Sequence, residues 1–358
     1  MAYQLNPELA QWLTAHALPL DQSNHYASLV IPKLAEHHLF GLGVPATYGG
    51  QAHSDFAEAV WAITAVAKYS LSAAFAYWAQ RCFISYLLLD PSRPATAQYL
   101  PELLSGQLTG ATGLSNAIKF LSGVEDLQVH ATPTADGWEL NGFLPWVSNV
   151  DNDGFVVAVA AQRPQQAPAI FLLQSDDKGL HRQADLDLHC LQGSNTASIH
   201  IQSCHVGTDR LLADQAAEFI QQVRPPFLAF QCALSTGVAL QSLEQVLAHP
   251  RLNTAHATQA QDLQHKLVTT QSHIITGCLN GVFLQQPTEL FALRIEIARL
   301  CQEACLLELY TEGGASYLQG KREHTLRRVR EALFLPLVSP TVQQLRQQLQ
   351  TPFTFATA

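Results

Sequence analysis

Gly110-Ala111-Thr112-Gly113-Leu114-Ser115-Asn116 is followed along the chain by Asp136-Gly137-Trp138-Glu139-Leu140-Asn141-Gly142 and then by Trp146-Val147-Ser148-Asn149. The first run is compact and apolar and carries hydroxyls. The second opens and closes on Asp-Gly and Asn-Gly, dipeptides that turn one strand back on the next. The third sets a tryptophan two places before a hydroxyl. Small residues, hydroxyls and an indole brought together in this way line the edge of a flat aromatic ligand, and a flavin is the first cofactor that such an edge brings forward.

Working outward, β texture continues to about residue 212. Gly154-Phe155-Val156-Val157-Ala158-Val159-Ala160 and Ala169-Ile170-Phe171-Leu172-Leu173 are short runs rich in strand-forming residues, and Thr196-Ala197-Ser198-Ile199-His200-Ile201 alternates as a strand with one wet face does. Before this segment the pattern is helical. Ser54-Asp55-Phe56-Ala57-Glu58 offers a cap, and Ser70-Leu71-Ser72-Ala73-Ala74-Phe75-Ala76-Tyr77-Trp78-Ala79 is small and apolar on most sides, as a buried helix is. After Asp214, residues 227–247, 257–283 and 288–310 run long with apolar spacing of three and four, and 341–350 adds a fourth helix. The expectation is an α+β chain: an N-terminal helical domain over 1–107, a middle β-barrel or sandwich domain over 108–212, and a C-terminal four-helix bundle over 213–358.

Composition narrows the function classes. The 358 residues are 47% apolar and only 14% charged, a globular balance with surface to spare for self-association. A formal charge of −9 without a Lys/Arg run argues against a nucleic-acid partner. No eighteen-residue apolar stretch and no signal-peptide pattern is present, so the expectation is a soluble cytoplasmic protein without a membrane span. Seven cysteines without a CxxC signal neither a disulfide frame nor zinc, and the histidines show no ligand spacing, so no metal is expected.

The order of these parts and their motifs resembles the acyl-CoA dehydrogenase family, over nearly the whole chain. Leu39-Phe40-Gly41-Leu42-Gly43-Val44-Pro45 with Tyr48-Gly49-Gly50 is similar to the family's N-terminal signature, and Leu100-Pro101 with Ser105-Gly106 to its approach to the first strand. Gly110 to Ser115 lies where the family contacts the flavin ring. Asn141-Gly142 with Trp146-Val147-Ser148-Asn149 is similar to N-G-x-K-x-W-I-T-N, in which the tryptophan packs on the flavin and the hydroxyl residue bonds it. Leu191-Gln192-Gly193-Ser194-Asn195-Thr196 resembles the family's L-R-G-S-x-T turn. Arg224-Pro225 opens the first long helix where the family often has an arginine. Gly313-Gly314 resembles the Q-x-x-G-G turn that approaches the FAD pyrophosphate of a neighbouring subunit.

The resemblance therefore implies a flavin-dependent oxidoreductase acting on the CH–CH group of an acyl thioester or similar substrate. FAD is the implied cofactor, with FMN as the alternative, and Leu114, Ser115, Trp146, Ser148, Gly313 and Gly314 would bind it. Arg224 and Lys119 are the substrate-binding candidates. Implied partners are a small-molecule substrate such as acyl-CoA, further copies of the chain in a homodimer or homotetramer, and a flavin reductase or electron-transfer flavoprotein.

The catalytic base breaks the pattern. Dehydrogenation needs a carboxylate to take the α-proton. Aligning Val329-Arg330-Glu331-Ala332 with the family's Y-R-D-A puts Ser339 at the usual base position, and aligning Arg224 puts Val223 at the other. Asn116 to Gly123 replaces the family's E-P-G-A-G-S-D, and Arg251-Leu252-Asn253-Thr254 stands for its R-x-x-F-G. Two alternatives follow: a two-component flavin monooxygenase on the same fold, and a non-catalytic flavin-binding or assembly relative.

Plainer readings stand beside these. Trp146 reads equally as a core aromatic, Ser115 and Ser148 as strand hydroxyls, and Gly313-Gly314 as a helix C-cap. Ser339 before Pro340 reads as a helix N-cap, Lys119 as an exposed loop residue, and Arg322 to Arg330 as a solvated helix face paired with Glu323 and Glu331. His324 falls near the expected flavin edge.

Overall fold

The computed structural model describes residues 3–250, 252–318, 320 and 323–350. Five helices come first: α1 (Pro7–Gln22), α2 (Ala27–Glu36), α3 (Phe56–Tyr69), α4 (Leu71–Leu87) and α5 (Pro94–Ser105). Asp55 caps α3 in a reciprocal box with Glu58, and α4, apolar on nearly every side, is buried over nearly its whole length.

Then follow β1 (Thr109–Gly113), α6 (Ser115–Leu121), β2 (Val129–Pro133), β3 (Gly137–Val147), β4 (Phe155–Arg163), β5 (Gln166–Gln174), β6 (Leu180–Asp185), β7 (Ala197–Gly207) and β8 (Leu211–Ala213). The strands form one sheet in the order β6-β7-β3-β2-β4-β5-β8, with β1 running parallel to β4 so that Gly110 faces Val156. Strand β4 is an unbroken apolar run because both of its faces are covered. Val156, Ala158 and Ala160 point into the helical core, while Phe155, Val157, Val159 and Ala161 fill a separate core within the sheet. Strand β7 has one wet face and alternates instead, with Ile199 and Ile201 inside and His200 only half-buried.

The chain ends in α7 (Ala216–Leu247), α8 (Thr254–Leu279), α9 (Val282–Gln285), α10 (Pro287–Glu312), α11 (Glu323–Phe334) and α12 (Val342–Gln350). By length and hydropathy α7 would pass as a membrane span, yet its apolar window is 83% buried inside the molecule. The α+β, helix–sheet–helix architecture is as expected, with four local corrections.

Helix α7 opens at Ala216, so Arg224-Pro225 lies in its third turn and does not start it. Proline lacks the helical N–H and crowds the turn before it, which is why the sequence reading begins the helix after Pro226. Phe219, Ile220, Val223 and Phe227, all buried along one face, keep the turns on both sides of the prolines together. Second, Ser115 is not a strand residue; β1 stops at Gly113 and α6 begins at once. Third, Ser339 does not cap α12. That role is Thr341's, whose hydroxyl accepts from Gln344 N at 3.1 Å while the Gln344 side chain accepts from Thr341 N at 2.7 Å.

Helix α11 also differs from a solvated face. Arg327 and Arg328 are buried, Arg328 pairs with Glu308 on α10, and Arg330 pairs with Asp21 on α1. Arg322 and Arg251 lie outside the described residues.

Candidate functional site

Three of the motifs meet in space. Asn149, in the left-handed conformation that asparagine tolerates (φ 63°), donates to the Gly110 carbonyl at 2.9 Å and to Gln80 Oε1 at 3.0 Å. Gly110 N donates to the same Gln80 oxygen at 2.6 Å, and Gln80 Nε2 donates to the Leu103 and Leu108 carbonyls. The fully buried Gln80 on α4 therefore locks the start of β1 to the turn after β3. Asn149 N and Val150 N donate in turn to Ser194 O and Asn195 O, which joins the 191–196 turn to the same point.

A chain of hydroxyls results. Ser148 Oγ lies 2.8 Å from Thr196 Oγ1, which lies 2.7 Å from Ser194 Oγ. Trp146, near the end of β3, is 59% exposed, which removes the core-aromatic alternative. An indole left open beside hydroxyls on a rigid strand end gives a flat, hydrogen-bonding ring something to lie on. At the end of β1, a Cβ on Gly113 would stand 3.1 Å from Leu144 Cδ1, so β1 and β3 approach closely just before Leu114 and Ser115.

Next to this edge is a cavity of about 320 Å³ between α6, α7, α10 and α12. Leu114, Ile118 and Leu121 form one wall, Ile220, Val223 and Phe227 another, and Phe291 and Leu345 close the rest. Helix α6 stands as a wall because the buried Asn116 ties its first turn to the returning chain, donating to Glu125 and the Asp126 carbonyl and accepting from Gln128 N. Ser122, directly after α6, also accepts a hydrogen bond from Gln348 on α12.

Both expected base positions border this cavity. Val223 lines it, and Ser339 is at its edge beside the lining residue Pro340, accepting from Ser115 Oγ at 2.8 Å. The Ser339 carbonyl accepts from Gln231 Nε2 at 2.8 Å, and Gln231 lies 3.4 Å from the fully buried Arg294. A hydroxyl pair and an alkyl group thus occupy the places where a proton acceptor was sought. Among the described residues, the one carboxylate on the cavity wall is Glu218, exposed in the first turn of α7.

Arg224 lines the cavity, its guanidinium 5.7 Å from the centre of the Phe291 ring, and burial holds its pKa below the usual arginine value. Lys119 is elsewhere, paired with Glu125 at 3.2 Å. Gly313 follows α10 with φ 65°, and among the described residues nothing lies within 4 Å of a Cβ built on it or on Gly314. His324 is not at the edge of this site. It lines a second cavity with Thr14, Lys68, Arg327 and Arg328, where burial and then the two arginines push its pKa down to about 4.

Sequence reasoning found the strand motifs and Ser339. It missed Gln80, Gln231 and Arg294, whose roles come from helices distant in sequence, and it missed Phe227 and Phe291 as cavity walls. A polar residue inside an otherwise apolar helix, as Gln80 is in α4, was the available signal.

Comparison with known proteins bears on this geometry. The family model described as acyl-CoA dehydrogenase, N-terminal domain, matches residues 4–107. The probable acyl-CoA dehydrogenase fadE25 of Mycobacterium leprae is 24% identical over 210 residues, 58% of this chain and 54% of that protein. The chain spans about half the length of the first curated relatives it matches. Butyryl-CoA dehydrogenase from Megasphaera elsdenii superposes with a TM-score of 0.82 at 16% identity, covering 98% of this chain and 99% of that one. KijD3, solved with FMN and a dTDP-linked amino-keto sugar, superposes with a TM-score of 0.80 at 17% identity, covering 97% and 94%.

Proposed function

We propose that this chain, whose residues 4–107 match the acyl-CoA dehydrogenase N-terminal domain, is a flavin-dependent oxidoreductase of the acyl-CoA dehydrogenase family whose substrate enters the cavity beside Ser339. The observation that carries the reading is the exposed Trp146 on β3, two residues before Ser148, whose hydroxyl joins those of Thr196 and Ser194, with Leu114 at the end of β1 lining the cavity. These residues fit a flavin ring: a broad aromatic face left open, with hydroxyls at its edge. FAD is the proposed cofactor and FMN the alternative. A bound flavin supplies two-electron redox chemistry at its ring. The rest is the protein's own work: Trp146 and Ser148 orient the ring, α6 and α12 exclude water from the cavity, and Ser115 and Ser339 present hydroxyls at its edge. Gly313-Gly314 is proposed to face a second copy of the chain, and the location is proposed to be cytoplasmic.

Two reactions suit this arrangement. Oxidation of the CH–CH bond of an acyl thioester, passing electrons to an electron-transfer flavoprotein, is the first. It requires a proton acceptor near the substrate, and Ser339 and Val223 offer none at neutral pH. The second, oxygen insertion with reduced flavin delivered by a reductase, needs no carboxylate at those positions, and the serine and valine that stand there favour it.

Anaerobic mixing of the flavin-loaded protein with a chain-length series of acyl-CoAs separates the two. Bleaching of the flavin supports dehydrogenation. Flavin that stays oxidised throughout, with oxygen-dependent product formed when reduced FMN or FAD is supplied, supports the second reaction. Protein that is colourless and gains no thermal stability from added FAD or FMN overturns the flavin reading itself.

A further inference from the structure

Arg224 is the cationic side chain on the wall of a largely apolar cavity, and among the described residues it has no counter-ion. Among the described residues no carboxylate lies within 4.0 Å of its guanidinium and no hydrogen bond is made to it. Other arginines drawn into the interior differ: Arg328 has Glu308, Arg163 has Asp214, and Arg327 has Glu331. Arg81 and Arg294 lack a carboxylate too, but both are sealed in the core, where Arg81 donates to the Phe40 carbonyl and Arg294 spans Gln231 and the Leu335 carbonyl. The Arg224 guanidinium instead faces open cavity.

Its geometry is set in advance. The side chain rises from the third turn of α7, with the guanidinium over the Phe291 ring at 5.7 Å, so one face is occupied by an aromatic and the nitrogens are left for a ligand. Glu218 also lines the cavity, but it stands six residues before Arg224, roughly 9 Å along the axis, and it is exposed. It does not neutralise Arg224. A cation kept partly out of water without a partner is costly, and the burial that lowers its pKa records this cost. An anion brought to it regains a charge-assisted, two-pronged hydrogen bond.

We infer that the cavity takes an amphiphilic carboxylate, its carboxylate on Arg224 and its hydrocarbon body against Phe227, Phe291, Ile118 and Leu345. A neutral thioester carbonyl would leave the guanidinium charge uncompensated. An inorganic phosphate would compensate the guanidinium but leave the apolar walls at Phe227, Phe291, Ile118 and Leu345 uncovered. A carboxylate with a hydrocarbon tail satisfies the charge and the walls together, and about 320 Å³ is at the small end for such a ligand site. The inference rests on the proposed function only in taking this cavity as the substrate site.

Calorimetric titration of the purified full-length protein with hexanoate, hexanamide and inorganic phosphate tests it, in the natural protein and in Arg224→Gln and Arg224→Lys. Hexanoate is expected to bind at least tenfold more tightly than hexanamide. That preference should vanish in Arg224→Gln and survive in part in Arg224→Lys. Unchanged hexanamide affinity in Arg224→Gln shows that the cavity itself is intact. Equal binding of acid and amide by the natural protein, an acid preference that outlives Arg224→Gln, or phosphate binding as tight as hexanoate overturns the inference. FAD and FMN titrations run in parallel on the same samples: loss of flavin binding overturns the oxidoreductase reading alone, because the acid-to-amide ratio does not depend on it.

Discussion

Gln80 shows how one side chain can hold a site that it does not enter. Each of its polar atoms is used twice: Nε2 donates to the Leu103 and Leu108 carbonyls, and Oε1 accepts from Gly110 N and Asn149 Nδ2. In Gln80→Leu these four partners lose their mate in a water-free interior, so a loss of about 2–4 kcal/mol of stability is expected, read from the urea midpoint. His324 supplies a second residue-scale expectation. Its folded pKa is depressed to about 4 from the ordinary 6.5, so between these values the unfolded chain binds a proton that the folded chain refuses. Stability is therefore lost as pH falls from about 6.5 towards 4. His324→Gln should lose less stability than the natural protein over that window, which paired urea titrations at pH 7 and pH 5 would measure.

At the scale of elements, α11 is held by charge where the sequence pattern alone suggests solvent. Arg328, Thr325 and Glu308 form a buried cluster between α11 and α10, with Glu308 almost wholly enclosed. Removing one partner of such a pair leaves an uncompensated buried charge. Glu308→Ala is expected to cost about 3–5 kcal/mol, while Glu308→Ala combined with Arg328→Met should cost less than the sum of the two single changes. Equilibrium unfolding of the three variants gives the coupling. Seen from the sequence, the arginines of this helix read as a solvated stripe because helical spacing says which residues share a face and not what that face meets. The same limit applies to α7, where Pro225 and Pro226 read as a beginning and the buried stripe from Phe219 to Phe227 carries the helix through them.

On the scale of the whole molecule, the helices before and after the sheet share a single core. Trp78 on α4 packs its ring against Phe227 on α7 at 5.1 Å, Phe56 on α3 meets Phe230 at 5.4 Å, and Phe75 meets Phe334 on α11 at 5.8 Å. The segment matched by the N-terminal family model, residues 4–107, supplies only one side of that core. Expressed alone, residues 3–107 should give helical far-ultraviolet dichroism without a cooperative melt or a near-ultraviolet aromatic signal, whereas the full chain shows both.

Local pattern determined the succession of helices, strands and helices, because apolar periodicity and turn chemistry act between near neighbours in the chain. It also determined that no carboxylate stands at Ser339 or Val223, since identity at a position needs no coordinates. Tertiary structure decided what surrounds those positions. Packing of α4 brought Gln80 to Gly110 and Asn149, packing of α11 and α12 set Ser339 against Ser115, and packing of α7 on α10 left Arg224 unpaired over Phe291. Burial, desolvation and charge pairing depend on distances between residues remote in sequence, and only the folded chain sets those distances.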